Sequence, residues 1–540
     1  MRFRLTCLGQ QLILNGFELC PGRENVATTE IGEESESFFF LFAPVFAEEG
    51  ARVARALAET SGVEAINGLY TGLDGRLDKL SALLGPKAGS LWNLSDLEND
   101  WFRNYASANA MKDLFHRYPP GTLGRLIVAD RRIGGGFVKN AFVRPDPIAE
   151  LTRKHGPLAP ANYAFQVLAW AENALSTTSS RGLFLYAVAG APAVALALAA
   201  EQKAIPSVAL THSRIRNLYM LDPDYREAGG TLVSKKLERS SELLQDGARY
   251  IEIRSEAKSF VSEFRTQPEQ PDYMAAFSTR FFPKAKRFVA LVKPAILALR
   301  SSSDRWLFRR ALFGLLCDVR AALQLRLIDW VAVPDSCDFV YFPLHVDPEA
   351  STMVYSPHLT DQLAVVSEIA KSLPAGVSLV VKEHLPMLGA RPWRAYRDLA
   401  KIPGVLVVDP RLDGFDLIRA CSAVVTITGT AGQEALLLGK PAVVLGPTPY
   451  GAASPSIFQS QHSSNTLSAA LANCLQSEGP TEQDAVNYVS TILRISFPLQ
   501  RGFIWGPKDA VDYTVSRKTL TNELLRFFAE ANKDRDLRRS

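Results

Sequence analysis

Residues Ala423–Leu445 read AVVTITGTAGQEALLLGKPAVVL and contain a complete strand–turn–helix–strand unit. The apolar run Ala423–Thr428 predicts a buried strand, and the segment from Gln433 to Leu438 predicts a helix. Gly439-Lys440-Pro441 then closes the helix and restarts the sheet with a second apolar run. Two strands joined by a helix are typical of a parallel α/β sheet.

The turn between this strand and this helix suits a phosphate group. Gly429 and Gly432 let the backbone approach a ligand closely, and a helix start presents free N–H groups and partial positive charge. Thr428 and Thr430 add hydroxyl donors, and Glu434 can accept hydrogen bonds from ribose hydroxyls. A purely structural tight turn is the alternative. The predicted nucleotide-binding residues of this unit are Thr428, Gly429, Thr430, Ala431, Gly432, Gln433 and Glu434.

The α/β pattern begins again at Asp338 and runs toward the C-terminus. Apolar runs at Phe339–Leu344, Val377–Lys382 and Val405–Val408 alternate with helical stretches, which predicts a doubly wound open sheet. Sheets of this kind bind ligands outside the carboxyl ends of their strands. The side chains that follow each strand are therefore the candidates for a site.

Two polar segments follow these strands. Lys382, Glu383 and His384 end the second run, and we predict that all three bind the nucleotide, because a lysine and a histidine suit its phosphates. The loop after the first run carries His345 and Glu349, which are candidate catalytic residues. This loop matches no strong metal-ligand spacing, so we predict no metal site. Polar strand ends with a satisfied histidine are the alternative.

The N-terminal half shows a second alternation of strands and helices, typical of another parallel sheet. Asp130 is the candidate carboxylate base for sugar transfer, or else an anchor for an arginine. The polar segment Thr211–Arg214 follows another strand, and we expect both to face a cleft between the domains. The predicted strands of this half are Phe38–Val45, Leu123–Asp130, Leu183–Val188 and Ser207–Thr211.

One uncharged segment, Leu183–Ala200, just reaches the length of a membrane span. Gly190-Ala191-Pro192 divides it, and proline suits the first turn of a helix. We therefore predict a strand, a tight turn and a buried helix that begins near Pro192. The N-terminal residues lack the cleavage site of a signal peptide, so we expect a cytoplasmic protein.

The middle of the chain has helical spacing and is rich in basic and aromatic residues. Between residues 280 and 326, eleven lysines and arginines accompany only Asp304 and Asp318 as acids. This composition indicates either packed helices with solvated basic faces or a patch for anionic lipid or a charged glycolipid acceptor. The second reading would make the protein peripheral at the inner membrane.

Composition and motifs limit the other possibilities. The 540 residues carry a net charge of only +4, without the clustering typical of nucleic-acid binders, so we predict no nucleic-acid partner. GxSxG, HExxH, Walker A and GxGxxG patterns are lacking, which disfavours hydrolases, metalloproteases, ATPases and dehydrogenases. The predicted domains are an N-terminal Rossmann-like acceptor domain (1–228), a helical basic middle region (229–337), a C-terminal Rossmann-like donor domain (338–480) and a helical tail (481–540).

Four segments together resemble the capsule polysaccharide biosynthesis family, which includes Kdo transferases of the KpsC and KpsS type. They are YFPLHVDPEAST (341–352), LVVKEH (379–384), DLIRACSAVVTITGTAGQEALLLGKPAVVLG (416–446) and SRIRNLYMLDPD (213–224). The resemblance implies two Rossmann-like domains in a GT-B-like arrangement, a CMP-activated acidic sugar such as Kdo as donor, and action at the inner membrane. The family's His-Pro pair near the nucleotide matches His384, with Leu385 standing before Pro386.

We therefore predict a metal-independent glycosyltransferase of capsular or surface polysaccharide biosynthesis. It would use a nucleotide-sugar donor, no cofactor, and a glycolipid or polysaccharide acceptor. Two alternatives remain open. One is an enzyme like UDP-N-acetylglucosamine 2-epimerase, although the His-Gly-Asp-Thr stretch usual in those enzymes is not found here. The other is a non-catalytic assembly protein that binds polysaccharide or lipid through its basic middle region.

Overall fold

The computed structural model describes residues 36–72, 76–238, 247–268, 302–333, 338–460, 464–504 and 512–539. Helices surround two sheets, so the predicted α/β class, with two Rossmann-like sheets and a helical middle region, is confirmed. The strands are β1 (Ser37–Phe42), β2 (Ala65–Tyr70), β3 (Ala88–Asn93), β4 (Ser180–Leu185), β5 (Ser207–His212), β6 (Leu218–Asp222), β7 (Phe339–Pro343), β8 (Ser378–Lys382), β9 (Val405–Val408), β10 (Ala423–Thr426), β11 (Ala442–Val444), β12 (Ile457–Gln459) and β13 (Phe497–Pro498).

The helices lie between and around these strands. Their bounds are α1 (Ala47–Ser61), α2 (Leu77–Leu84), α3 (Leu94–Trp101), α4 (Ala108–Phe115), α5 (Thr122–Ala129), α6 (Pro147–Lys154), α7 (Ala159–Thr177), α8 (Ala191–Gln202), α9 (Gly230–Glu238), α10 (Gly247–Thr266), α11 (Ser302–Leu327), α12 (Ala350–Met353), α13 (Gln362–Ser372), α14 (Trp393–Leu399), α15 (Gly414–Ala420), α16 (Thr430–Leu438), α17 (Ser464–Gln476), α18 (Glu482–Ile495) and α19 (Thr514–Arg539).

The first sheet has the strand order β13-β6-β5-β4-β1-β2-β3, in which β1 to β5 are parallel, β6 is antiparallel to β5, and β13 is antiparallel to β6. Every residue of β1 is buried because helices cover both faces of the sheet. Phe39 and Leu41 pack with α7 and α8, whereas Phe38, Phe40 and Phe42 pack with α1 and α19. The uninterrupted apolar run is thus the signature of a strand between two helical layers.

The second sheet has the order β12-β11-β10-β7-β8-β9, and all its strands are parallel. Its first strand, β7, lies in the middle of the sheet. The chain moves from β7 to β8 and β9 on one side and then returns to β10 on the other side. This reversal is a topological switch point, the place where open α/β sheets bind their ligands in a crevice.

The predicted strand Leu123–Asp130 is wrong, because these residues form helix α5 and the turn after it. Leu126 and Ala129 are buried at helical spacing, and α5 packs against α7 and α8. A short apolar run fits either type of element, and here no neighbouring strand is available to pair with it. Asp130 therefore follows a helix and not a strand.

The uncharged segment Leu183–Ala200 folds as predicted. Its first residues belong to β4, and α8 begins at Ala191 with Pro192 in its first turn. We call the parts of the structure around the first and second sheets the first lobe and the second lobe. The residues of α8 from Ala191 to Ala200 are buried inside the first lobe. Within the described ranges, no helix combines the length and the apolar character that crossing a membrane requires.

The chain returns to the first sheet near its end. Helix α18 packs on α10 and α16 of the second lobe, whereas β13 pairs with β6 and α19 packs on α1. The four predicted domains stay predictions, and residues 481–540 contribute to both lobes. Of the predicted basic patch at 280–326, residues 280–301 lie outside the described residues.

Candidate functional site

His345 lies at the switch point, on the loop that follows β7. Its Nε2 atom is 3.3 Å from the backbone nitrogen of Thr428 and 3.4 Å from Thr426 Oγ1, both at the end of β10. Because the Thr428 N–H donates to Nε2, the ring is neutral with its proton on Nδ1. Burial, with smaller contributions from the charges of His384 and Arg391, lowers the pKa of His345 to about 4. The two loops that flank the crevice are thus joined by a neutral imidazole.

Two side chains, Gln362 and Arg391, hold the backbone of His345, and Glu383 in turn holds Arg391. Gln362 accepts a hydrogen bond from the His345 N–H at 2.7 Å and donates one to its carbonyl at 3.2 Å. Arg391 donates to the same carbonyl at 3.0 Å. Glu383 forms an ion pair with Arg391 and accepts a hydrogen bond from the Tyr396 hydroxyl at 2.7 Å. Glu383 and Arg391 are both 0% exposed, so this network is internal and holds the loop in one position.

Lys382, Glu383 and His384, at the end of β8, do not share one role. The Glu383 carboxylate is bound within the protein and is not directed at a ligand. Lys382, only 8% exposed, lies on the other side of the strand end. Burial lowers the pKa of Lys382, and the nearby carboxylates of Asp413, Glu383 and Glu434 oppose that shift. Burial also lowers the pKa of His384 to about 4, helped by the charges of Lys382 and Arg391.

The glycine turn is required by packing as well as by helix geometry. Helix α16 begins at Thr430, three residues before the predicted start, with Gly429 as its N-cap. A Cβ on Gly429 would lie 2.7 Å from Thr426 Oγ1 and 3.0 Å from His345 Nε2. A Cβ on Gly432 would lie 2.6 Å from the ring of Tyr450, whose hydroxyl donates to the Gly429 carbonyl. These contacts hold the start of α16 directly beside His345.

The other predicted residues of the turn lie around this helix start. The Thr428 hydroxyl donates to the Ser351 carbonyl at 3.3 Å, and Ala431 is buried. Gln433 is 4% exposed and donates weakly to the Arg214 carbonyl at 3.5 Å. Desolvation raises the pKa of Glu434, and a hydrogen bond from Thr430 together with the charge of Lys382 opposes that shift. The structure therefore brings Lys382, His345 and the turn together at one rim of the second sheet, where its strands have their carboxyl ends.

Asp130 is not placed to act as a base. Its carboxylate is 3% exposed and accepts from Arg132 Nε at 3.0 Å and Nη2 at 2.7 Å. Burial raises the pKa of Asp130, but the charge and hydrogen bonds of Arg132 outweigh it and leave that pKa below its usual value. Arg132 also pairs with Glu98 at 2.8 Å and with the Tyr163 hydroxyl at 2.9 Å. The alternative assignment, an anchor for an arginine, fits the structure.

Glu349 lies at the edge of the crevice, whereas Asp347 of the same loop lies deeper. Glu349 is exposed, precedes α12 and accepts a hydrogen bond from the Ser351 hydroxyl at 3.2 Å. Asp347 is 4% exposed, and neither of its carboxylate oxygens has a hydrogen-bond partner among the described residues. Burial raises its pKa to about 6 against the charge of Arg391. No group of three His, Cys, Asp or Glu side chains in the described ranges is arranged to hold a metal ion.

Comparison with known proteins gives one family match. Residues 319–463 match the model of the family described as "Capsule polysaccharide biosynthesis protein", which confirms the resemblance over the segment that contains this site. No curated protein matches the chain.

Solved structures give only weak similarities. KpsC beta Kdo 2,4 transferase from Thermosulfurimonas dismutans is 13% identical over 58% of this chain and 79% of its own, with a TM-score of 0.32. KpsC beta Kdo 2,7 transferase from that organism is 14% identical over 66% and 88%, with a TM-score of 0.29. A putative UDP-N-acetylglucosamine 2-epimerase from Listeria monocytogenes is 10% identical over 87% and 93%, with a TM-score of 0.25. Scores of this size carry no argument about function.

Proposed function

We propose that this protein is a glycosyltransferase of capsular or surface polysaccharide biosynthesis, because residues 319–463 match the model of the family described as "Capsule polysaccharide biosynthesis protein". The observation that carries the proposal is the bond between the Thr428 N–H and His345 Nε2 at the switch point. It joins the loop after β7 to the turn after β10, at the carboxyl ends of two neighbouring parallel strands. Open α/β sheets bind nucleotide ligands in crevices outside such strand ends.

In the proposed reaction, the donor phosphate lies against the start of α16. An acceptor hydroxyl oxygen forms a bond to the anomeric carbon of the donor sugar and gives its proton to the carboxylate of Glu349, the candidate base on the loop after β7. The bond from that carbon to the phosphate oxygen breaks, and its electron pair stays on the phosphate. The N–H groups at the start of α16 and the Lys382 ammonium group stabilise this developing charge.

The two histidines contribute hydrogen bonds and not charge. Their pKa values of about 4 make both imidazoles neutral at pH 7. The positive charge that the leaving phosphate needs therefore comes from Lys382 and the helix start. We propose that these groups make a metal ion unnecessary, and full turnover in the presence of a chelator is the expected result.

The donor we propose is a CMP-linked acidic sugar such as Kdo. Calorimetric titration of the purified protein with CMP, UDP and GDP and their sugar conjugates tests this assignment. We expect Lys382→Met to weaken nucleotide binding about tenfold or more, because it removes a partly desolvated charge. Lys401→Met is the matched control, since Lys401 is exposed and pairs with Asp398 outside the crevice.

Two results would reject this function. Absence of binding to every nucleotide at millimolar concentration would exclude the proposed donor site. Conversion of UDP-N-acetylglucosamine into its 2-epimer, detected by NMR of the products, would instead identify an epimerase. Transfer of a sugar onto a glycolipid or polysaccharide acceptor would support the proposal.

We also propose that part of the basic stretch at 280–326 contacts an anionic inner-membrane surface. In α11, five exposed apolar residues recur at spacings of three or four, so they share one face of the helix. The opposite face is anchored, because Gln324 bonds to Gly389 N–H at 2.7 Å and to the Arg391 carbonyl at 2.8 Å. The exposed residues are Leu312, Leu316, Val319, Leu323 and Leu327.

Two arginines at the start of the described part of this stretch do not serve this surface. Arg309 pairs with Glu150 at 2.7 Å and Arg310 with Asp146 at 3.2 Å, so both are already neutralised within the protein. Arg326 is exposed beside the apolar residues of α11. A basic amphipathic helix of this kind suits a membrane surface.

Flotation with anionic vesicles tests this surface. We expect salt-sensitive binding that the double substitution Leu316→Asp and Leu323→Asp abolishes. Val515→Asp, which changes an exposed apolar residue of α19, should leave binding unchanged. Equal binding to neutral vesicles, or no binding at low salt, would reject the surface.

A further inference from the structure

The turn after β5 contains two non-glycine residues with left-handed backbone. Arg214 has φ 63° and Arg216 has φ 45°. L-residues rarely adopt this conformation, because the Cβ atom then crowds the backbone. Such a conformation persists only where surrounding contacts enforce it, and it recurs at sites that bind ligands.

Contacts on both sides of this turn enforce its shape. The Arg214 N–H donates to His212 Nδ1 at 2.9 Å, and the Ile215 N–H donates to the Ser213 hydroxyl at 3.2 Å. Ser213 and Ile215 are buried, so they fix the turn to the body of the protein. The turn is therefore a rigid support for the two arginines that it carries.

The two arginines have different environments. Arg216 pairs with Glu256 of α10 at 2.7 Å and lies 5.4 Å from the ring centroid of Phe260 on the same helix. That helix packs on α16 and α18, so Arg216 ties the turn to the second lobe. Arg214 is exposed, and among the described residues its guanidinium group makes no ion pair or hydrogen bond. Its five N–H groups are available to an external acceptor.

The backbone of Arg214 lies beside the start of α16. Its carbonyl oxygen lies 3.5 Å from Gln433 Nε2, in the first turn of that helix. Desolvation raises the pKa values of Glu349 and Glu434, and the positive charge of Arg214 counteracts that shift in both. The first lobe thus supplies a cation to the rim that carries Lys382 and the glycine turn in the second lobe.

We propose that Arg214 recognises an oxyanion of the ligand, a phosphate or a carboxylate, across the crevice from Lys382. The inference rests on the proposed function and adds a recognition residue from the first lobe. A guanidinium group binds such groups through two parallel hydrogen bonds, which fixes both position and orientation. Arg214 therefore makes the bound ligand a bridge between the two lobes.

Arg214→Gly is the informative substitution. Glycine adopts φ 63° without strain, so this change removes the guanidinium group while it relaxes the backbone. We expect an unchanged or higher midpoint of thermal unfolding, together with at least about tenfold weaker ligand binding. If Arg214 had only a structural role, the substitution would lower the midpoint of thermal unfolding and leave ligand binding unchanged. Arg214→Lys retains charge without the paired hydrogen bonds and should fall between the two.

Calorimetric titrations of the full chain separate the two sources of the oxyanion. Equal weakening for CMP, a CMP-linked acidic sugar and pyrophosphate assigns the phosphate to Arg214. Weakening confined to the acidic sugar conjugate assigns the sugar carboxylate. Wild-type affinity of Arg214→Gly for all these probes would overturn the inference while leaving the proposed function intact. Failure of the wild-type protein to bind any of them would overturn both.

Discussion

Replacing Arg391 with methionine tests whether the buried network determines the position of the site loop. Arg391 is fully buried and pairs with Glu383, donates to the His345 carbonyl at 3.0 Å and donates to the Asn140 carbonyl at 3.3 Å. Methionine has a similar length and keeps the apolar stem. It leaves the Glu383 carboxylate buried without its cation and the two carbonyls without this donor.

The expected loss of stability follows from the burial of the pair. Removing one partner of a buried ion pair costs about 3–5 kcal/mol, because the remaining charge is left uncompensated. Residues 36–540 form one compact unit, for which an unfolding entropy of about 2.1 cal/mol/K per residue means that each kcal/mol lowers the midpoint of thermal unfolding by about 1 °C. A fall of roughly 3–5 °C is therefore expected. Glu383→Gln combined with Arg391→Met should cost less than the sum of the single changes, because the double variant leaves no unpaired charge.

Thermal unfolding followed by circular dichroism, together with nucleotide titration, measures both consequences. Arg411→Met is the control, since Arg411 forms an exposed ion pair with Asp409 that is worth about 1 kcal/mol or less. We expect Arg391→Met, and not Arg411→Met, to weaken nucleotide binding as well, since His345 loses a contact that fixes its backbone. An Arg391→Met midpoint equal to that of the control would refute the assignment of this network.

Three further predictions concern single residues. His345 has a pKa of about 4 in the fold and about 6.5 when unfolded, so the unfolded state binds more protons between these values and stability falls as the pH is lowered from 6.5 toward 4. His345→Gln should flatten that part of the pH–stability curve by up to about 1.4 kcal/mol per pH unit, and an unchanged slope in urea unfolding would contradict the neutral assignment. Gly432→Ala should destabilise the protein by about 1–3 kcal/mol, because its Cβ meets the Tyr450 ring, and Gly432→Ala combined with Tyr450→Phe should recover part of that loss. Asp130→Asn should lower the midpoint of thermal unfolding, because Arg132 loses a buried carboxylate. The dissociation constant for nucleotide should stay unchanged when it is titrated at a temperature about 20 °C lower than that midpoint.

The elements that sequence predicts well are those whose pattern is complete within one short stretch. The unit from Ala423 to Leu445 folds as strand, turn, helix and strand because each part carries its own local signal. The segment at Leu123–Asp130 shows the limit of such signals. Its apolar residues fit a strand or a helix equally, and packing against α7 and α8 decides for the helix.

In the candidate site too, local sequence patterns predict some residues, whereas contacts between distant residues determine the rest. His345 and Lys382 were predicted because they follow strands, and the parallel sheet brings strand ends to one edge. Glu383 was grouped with Lys382, although alternate residues of a strand point to opposite faces, and its partner Arg391 lies eight residues further along the chain. Gln362 is 17 residues away from the backbone that it holds, and no local pattern reveals such a contact.

Chemical roles depend on these distant contacts more than on residue types. A histidine and a lysine after adjacent strands would both be expected to supply positive charge to a phosphate. Burial instead makes His345 a neutral acceptor of the Thr428 N–H, which leaves the positive charge of the second lobe to Lys382 and the helix start. Among the described residues, Lys382 is the cation of the second lobe that we propose for the phosphate, and a ligand with two acidic groups needs another. Arg214 meets that need from the first lobe, so ligand binding and the approach of the two lobes depend on the same residue.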